Sequence, residues 1–203
     1  MTIAVPAPAA GHPSGRTSGR TTEPTVTVVR LKHTGHVVAA LTRTGTAPPP
    51  VAGHLTGGAL PLAVPGATGL VLVPADLLTA EELGAPPGLL TTPWHWYVDT
   101  GDPQAAAPAT ARLAEVSGHI PTVDPDAGSL RITSPDDANA PVLLLVHPPA
   151  QWGTGAAAHI TLAAHLDGTG TVVLGDGAVG QNDHALVFVR GRPVSVYLTG
   201  LLG

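Results

Sequence analysis

Glycine and proline interrupt this chain so often that no long regular element has room to form. Its 203 residues include 25 glycines and 22 prolines, and the apolar stretches between them are short. Proline lacks an amide donor and glycine loses the most backbone entropy on ordering, so both end helices and central strands. What survives is a series of brief β-runs joined by turns. The expected fold is all-β, mainly an antiparallel sandwich or barrel, with one or two short helices and a flexible N-terminal arm. With three Trp, two Tyr and one Phe, the core must be built from Val, Leu, Ala and Ile.

Residues 1–24 hold little that is large enough to bury, so they are expected to form the arm, with a β-rich domain over 25–203 and a subdomain boundary near 141–156. Thr25–Lys32 and His36–Arg43 flank Thr34-Gly35 and read as a hairpin. Leu60–Val64 and Leu70–Val73 each close on a proline, as edge or terminating strands do. Pro74–Gly84 predicts a two-turn helix, with Asp76 or Thr79 as cap, Glu82 completing a capping box and Gly84 ending it. Thr110–Ser117 reads as helix or strand. Val142–His147 is a continuous apolar run, and Ala158–Leu166 alternates before Asp167-Gly-Thr-Gly170, predicting a hairpin with Thr171–Leu174 that buries Ile160 and Leu162. Gly191-Arg192 predicts a two-residue turn between Ala185–Arg190 and Val194–Thr199.

Absence of cysteine excludes disulfides, zinc fingers, iron–sulfur clusters and thiol nucleophiles. Ten histidines remain as the unusual chemical feature. His33 and His36 are expected as exposed residues at a hairpin tip. Alternation places His159 and His165 on the face opposite Ile160 and Leu162, about 20 Å apart, too far to share a metal ion. His147 with His184 and Asp183, or His95 with Asp99 and Asp102, are sets that tertiary contact could assemble, but no spacing motif selects either. No cofactor or metal is expected, and no serine lies in a Gly-x-Ser-x-Gly elbow. Trp94-His-Trp-Tyr97 gathers half of the aromatics; as a strand it puts Trp94 and Trp96 on one face, an interface or ligand platform. Trp152, between proline and glycine pairs, is a further interface candidate.

Net charge is −5, which disfavours nucleic acid as a partner. No run approaches the ~18 apolar residues of a membrane span, and the N-terminus lacks a signal-peptide pattern. Cytoplasmic synthesis, or residence in an assembled particle, is therefore expected. Only 11% of residues are charged, and a neutral surface is a solubility liability unless neighbours cover it. Residues 1–75 carry five basic and one acidic side chain, and residues 76–141 two and ten, a polarity that suits head-to-tail contact. The expected function is a non-enzymatic structural subunit of a multimeric particle, such as a tail, capsid-decoration or injection-machine component, whose partners are protein subunits. Its arm would be anchored by Ile3 and Val5, with Arg16 and Arg20 reaching Glu81, Glu82, Asp136 and Asp137. The alternatives are an enzyme with a His/Asp site assembled from loops, and a monomeric binding module using Trp94 and Trp96.

Overall fold

The computed structural model describes residues 25–42, 51–63, 70–100, 111–152 and 154–198. In chain order the strands are β1 (Thr25–Leu31), β2 (Val37–Leu41), β3 (Ala59–Ala63), β4 (Leu70–Pro74), β5 (Leu78–Gly84), β6 (Trp96–Asp99), β7 (Arg112–Glu115), β8 (Thr122–Asp126), β9 (Ser129–Thr133), β10 (Pro141–His147), β11 (Thr154–Ala157), β12 (Ile160–His165), β13 (Thr171–Leu174), β14 (His184–Val189) and β15 (Ser195–Tyr197). Among the described residues the one α-helix, α1 (Ala52–Thr56), is five residues long. The chain is thus all-β and mainly antiparallel. Its strands form separate small sheets, ordered β2-β1-β5, β12-β10-β14-β15, β11-β4-β3, β13-β9-β8 and β6-β7, and none closes into a barrel.

The four-stranded sheet is the middle layer. Leu143 and Leu145 of β10, with Leu186 and Phe188 of β14, face a core completed by Val29, Leu31, Val71, Val73 and Leu78. Val142, Leu144 and Val146, with Ala185, Val187 and Val189, face the opposite core of Leu130, Ile132 and Leu166. A strand buried on both sides must be apolar at every position, which is why 142–146 shows no alternation. β12 is an outer strand of the same sheet, and its Ile160 and Leu162 turn inward while Thr161, Ala163 and His165 are exposed. The period-2 pattern predicted for 158–166 is therefore present. A third core, Val26, Val28, Val37, Leu89 and Val98, lies on the other face of β1.

Four local expectations are corrected. Pro74–Gly84 is not a helix: a three-residue 3₁₀ turn at Ala75–Leu77 leads into β5, which pairs with β1 from Leu31↔Leu78 to Thr25↔Gly84. A two-turn helix is marginal alone. The ladder supplies seven residue pairs, sends Leu78 and Ala80 into one core and Leu83 into another, and joins Arg30 to Glu81. Ala158–Leu166 and Thr171–Leu174 do not pair with each other. β12 pairs with β10 and β13 with β9, because the 167–170 turn changes sheets. Asp167 Oδ1 accepts from the amides of Thr169 (2.8 Å) and Thr171 (3.0 Å), and the Gly170 carbonyl accepts from the Ser134 amide. At Gly170, φ is +75° and a Cβ would lie 2.3 Å from the Ser134 carbonyl oxygen, so only glycine fits this docking. The β14–β15 hairpin is present, yet its turn is centred one residue earlier than predicted. Arg192 N bonds Val189 O, with Gly191 at φ +76° in the third position. Finally, His36 is buried, as described below. Thr110–Ser117, left between two states by sequence, contains strand β7.

Leu144 sits wholly buried at the centre of β10, so Leu144→Ala should cost about 2–5 kcal/mol. Val173 on β13 is 45% exposed, and Val173→Ala should change stability by about 0.5 kcal/mol or less. Urea midpoints of both variants check the layer assignment; equal effects would contradict it.

Candidate functional site

A groove of about 610 Å³ opens where β2, β3, β14 and β15 meet the 93–95 turn and the 115–120 segment. Leu186 and Phe188 form its floor because β14 alternates, sending these two side chains to the face not covered by β9. Val38, Leu62, Val194 and Val196 are its walls. At the rim stand Trp94, 37% exposed, and Ile120, 62% exposed, with His95 and Glu115 as the polar groups facing solvent. Such a lining binds by apolar contact and desolvation, with orientation set at the mouth.

His36 closes one end of the groove. It is fully buried and linked to Thr34 Oγ1 (3.0 Å) and to the Arg192 carbonyl (2.8 Å), with Phe188 edge-on at 5.4 Å. A carbonyl only accepts, so Nε2 carries the proton and Nδ1 accepts from the Thr34 hydroxyl. Burial drives the imidazole pKa down to about 4, against a smaller raising effect of the bond to Arg192, and keeps this tautomer neutral. The short loop that suggested exposure instead folds back, with Gly35 accepting from Val98 N and His36 bridging to Tyr97.

A second polar cluster has the members of a hydrolytic triad. His119 Nε2 lies 2.9 Å from Ser134 Oγ, and His119 Nδ1 lies 3.7 Å from Asp136. The proton is in the wrong place for general-base catalysis. Ser134 Oγ donates to Asp137, so Nε2 must donate to the serine rather than accept from it, and Ser134 is wholly buried. Asp137 is in turn gripped by Arg192 through Nε (2.6 Å) and Nη2 (2.8 Å). Burial would raise the Asp137 carboxyl pKa, but hydrogen bonds from Arg192 and Ser134 outweigh it and hold the pKa below the ordinary value. This cluster is a clasp joining the β9 exit to the β14–β15 hairpin.

The third cluster surrounds His147. It faces His184 across the β10–β14 ladder, and Trp152 packs edge-on against both rings, at 5.7 and 5.4 Å. His159 donates Nδ1–H to the Val146 carbonyl (3.1 Å) and turns Nε2 toward Asp183 (3.6 Å). Both His147 ring nitrogens are buried without a hydrogen-bond partner. Burial, with His159 and His184 nearby, lowers its pKa. His184 and Asp183 thus do gather near His147, but among the described residues no three His, Cys, Asp or Glu side chains converge closely enough to hold a metal ion.

Trp94 and Trp96 do not share a face as predicted. Trp94 belongs to a 3₁₀ turn (Pro93–His95) at the groove, whereas Trp96 begins β6 and packs into the third core. Trp152 packs against the first core. Ile3, Val5, Arg16 and Arg20 lie outside the described residues, as does Asp102. Asp99 is engaged by Arg112 and Arg190. His165 stacks edge-on with His33, away from the pairing of His159 with Asp183. Sequence reasoning missed the groove, His119 and Ser134, which come from segments remote in sequence with no common motif. Compared with known proteins, the chain matches no family model, no curated protein and no solved structure.

The three depressed histidines, His36, His147 and His184, the last also lowered by burial, bind protons more readily in the unfolded chain, so their stabilisation is complete above the ordinary value of 6.5 and is lost as pH falls from there toward the folded values. For His36, whose folded value is about 4, the loss amounts to about 3 kcal/mol. Urea midpoints should fall steeply between pH 6.5 and 4. His147→Leu should match or exceed the wild type at pH 7.5 and flatten that slope, since it removes two unpaired buried nitrogens. A loss of several kcal/mol at pH 7.5 would mean that His147 has a partner. Arg192→Ala should cost about 2–3 kcal/mol by leaving the partly buried Asp137 carboxylate without its cation.

Proposed function

We propose that this protein is a structural subunit of a multimeric particle, joined to its neighbours in part by strand addition along β12. One observation carries this reading: the outer strands are guarded very unequally. β3 contains Pro61, β5 contains Glu81 and Glu82, β7 contains Arg112 and Glu115, and β8 contains Asp124, Pro125 and Asp126. Charge and proline of this kind keep a free edge from pairing with another chain. β2, β11, β13 and β15 also have neither, but β12, at six residues, is the longest outer strand so exposed; its outward residues are Thr161, Ala163 and His165, with His33 packed only against the His165 end.

The ladder gives the direction of the free backbone groups. Pro141 O accepts from Arg190 N on the β14 side, and Ala140 O accepts from Leu166 N on the β12 side. Even-numbered β10 residues therefore bond to β12. By the same alternation, the amides and carbonyls of Thr161, Ala163 and His165 point away from β10. An unguarded row of this kind is unfavourable on a monomer and is suited to a partner strand. Scarcity of charge across the whole chain supports the same reading. A tail, capsid-decoration or injection-machine component is the kind of particle that a small β domain with a Pro-, Gly- and Ala-rich N-terminal sequence would suit. An enzymatic reading has less support, because the serine–histidine–aspartate grouping among the described residues has its hydroxyl proton committed to Asp137.

Ala163→Lys places a charge on the β12 edge without touching a core. Sedimentation velocity of the full-length protein should show a defined assembly for the wild type and mainly monomer for this variant, with unchanged far-UV circular dichroism. A wild type that stays monomeric at every soluble concentration would refute the reading.

A further inference from the structure

The groove beside Trp94 is a different surface from the β12 edge, and its lining specifies what it holds. Apolar floor and walls reject a charged occupant, since an unpaired charge there would lose its hydration without a partner. An exposed tryptophan at the rim of an apolar trough favours an extended, proline-bearing segment, whose ring faces pack on aromatic carbon and whose restricted backbone loses little entropy on docking. The chain itself carries such a segment. The sequence Ile3-Ala-Val-Pro-Ala-Pro8 has no charge, two prolines of the kind that favour extended backbone, and two β-branched residues; before Glu23 the only charged side chains are Arg16 and Arg20.

We propose that the groove is the docking site for the N-terminal arm of a second copy of this chain, with Ile3 and Val5 seated over Leu186 and Phe188 and Pro6 against Trp94. This rests on the assembly reading above and adds the identity of one contact. Reach permits it. Twenty-four extended residues span about 80 Å, whereas a domain of this size is on the order of 40 Å across. The starting point favours a neighbour over the same copy. Thr25 pairs with Gly84, at the end of β1 remote from the turn that leads to His36, and His36 is what borders the groove. An arm bound to its own groove would have to double back along its own sheet; one bound to a neighbour runs outward. Arm contact with the acidic side chains expected from the sequence is correspondingly reduced, because Glu81 is held by Arg30 and Asp137 by Arg192. Glu115 at the groove rim is the carboxylate nearest the docked segment.

Sedimentation velocity of the full-length chain tests this with variants on both sides of the contact. Ile3→Asp/Val5→Asp alters only the arm, and Trp94→Ala and Ile120→Asp alter only the exposed rim, so neither set should disturb folding. Each set should weaken association about tenfold or more. Combining them should weaken it no further, and a synthetic peptide of residues 2–15 should dissociate the wild-type assembly. An assembly indifferent to all these changes would overturn the arm contact while leaving the assembly reading intact. An assembly weakened by the arm variant alone would overturn the choice of groove. A wild type monomeric throughout would overturn the assembly reading and the arm contact together.

Discussion

The described structure depends on a sheet that is dry on both faces. β10 and β14 contribute alternate side chains to two cores, and every other sheet except β6-β7 packs against one of them. This explains how a chain with so few aromatics builds a stable interior: a doubly covered strand buries every residue it has, at roughly 1.5–3 kcal/mol for each fully buried aliphatic side chain. It also fixes a cost. Sheets of two to four strands leave many outer edges, so the remaining surface must be either guarded or shared.

Polar groups hold the loops to this framework. Arg192 is the hub: its guanidinium grips Asp137, its carbonyl accepts from His36, and it also reaches the Ser117 carbonyl. The hairpin tip, the 115–120 segment and the end of β9 thereby share one fixed position, and the first two lead into the lining of the apolar groove. Pairing raises the Arg192 pKa and lowers that of Asp137, as expected for a charge pair that is stronger folded than unfolded. His36 contributes as a neutral imidazole, so the groove's geometry is sensitive to acid.

What could be read from sequence was the part governed by local period. The Thr25–Leu41 hairpin, the unbroken 142–146 run and the alternating 158–166 strand each announce their burial through spacing that the backbone dictates. What could not be read was decided by partners distant in the chain. Pro74–Gly84 carries helix signals, yet β1 offers a full ladder and two cores to receive Leu78 and Leu83. The Asp167–Gly170 turn has hairpin residues, but Gly170 docks on Ser134 and delivers Thr171 to β9 instead. His36 looked like a loop residue because its two partners, Thr34 and Arg192, include one 156 positions away. The candidate site was half legible: Trp94 stood out by type, but Leu62, Leu186 and Ile120 meet it only through topology.

Amide hydrogen exchange on the native full-length protein tests most directly whether the unguarded β12 edge is shared. If a neighbouring strand pairs there, the amides of Thr161, Ala163 and His165 should be protected to nearly the same degree as those of Ile160, Leu162 and Ala164, and should lose that protection on dilution to monomer. Fast exchange at the three odd positions under assembling conditions, beside slow exchange at the three even ones, would show a bare edge and contradict the account.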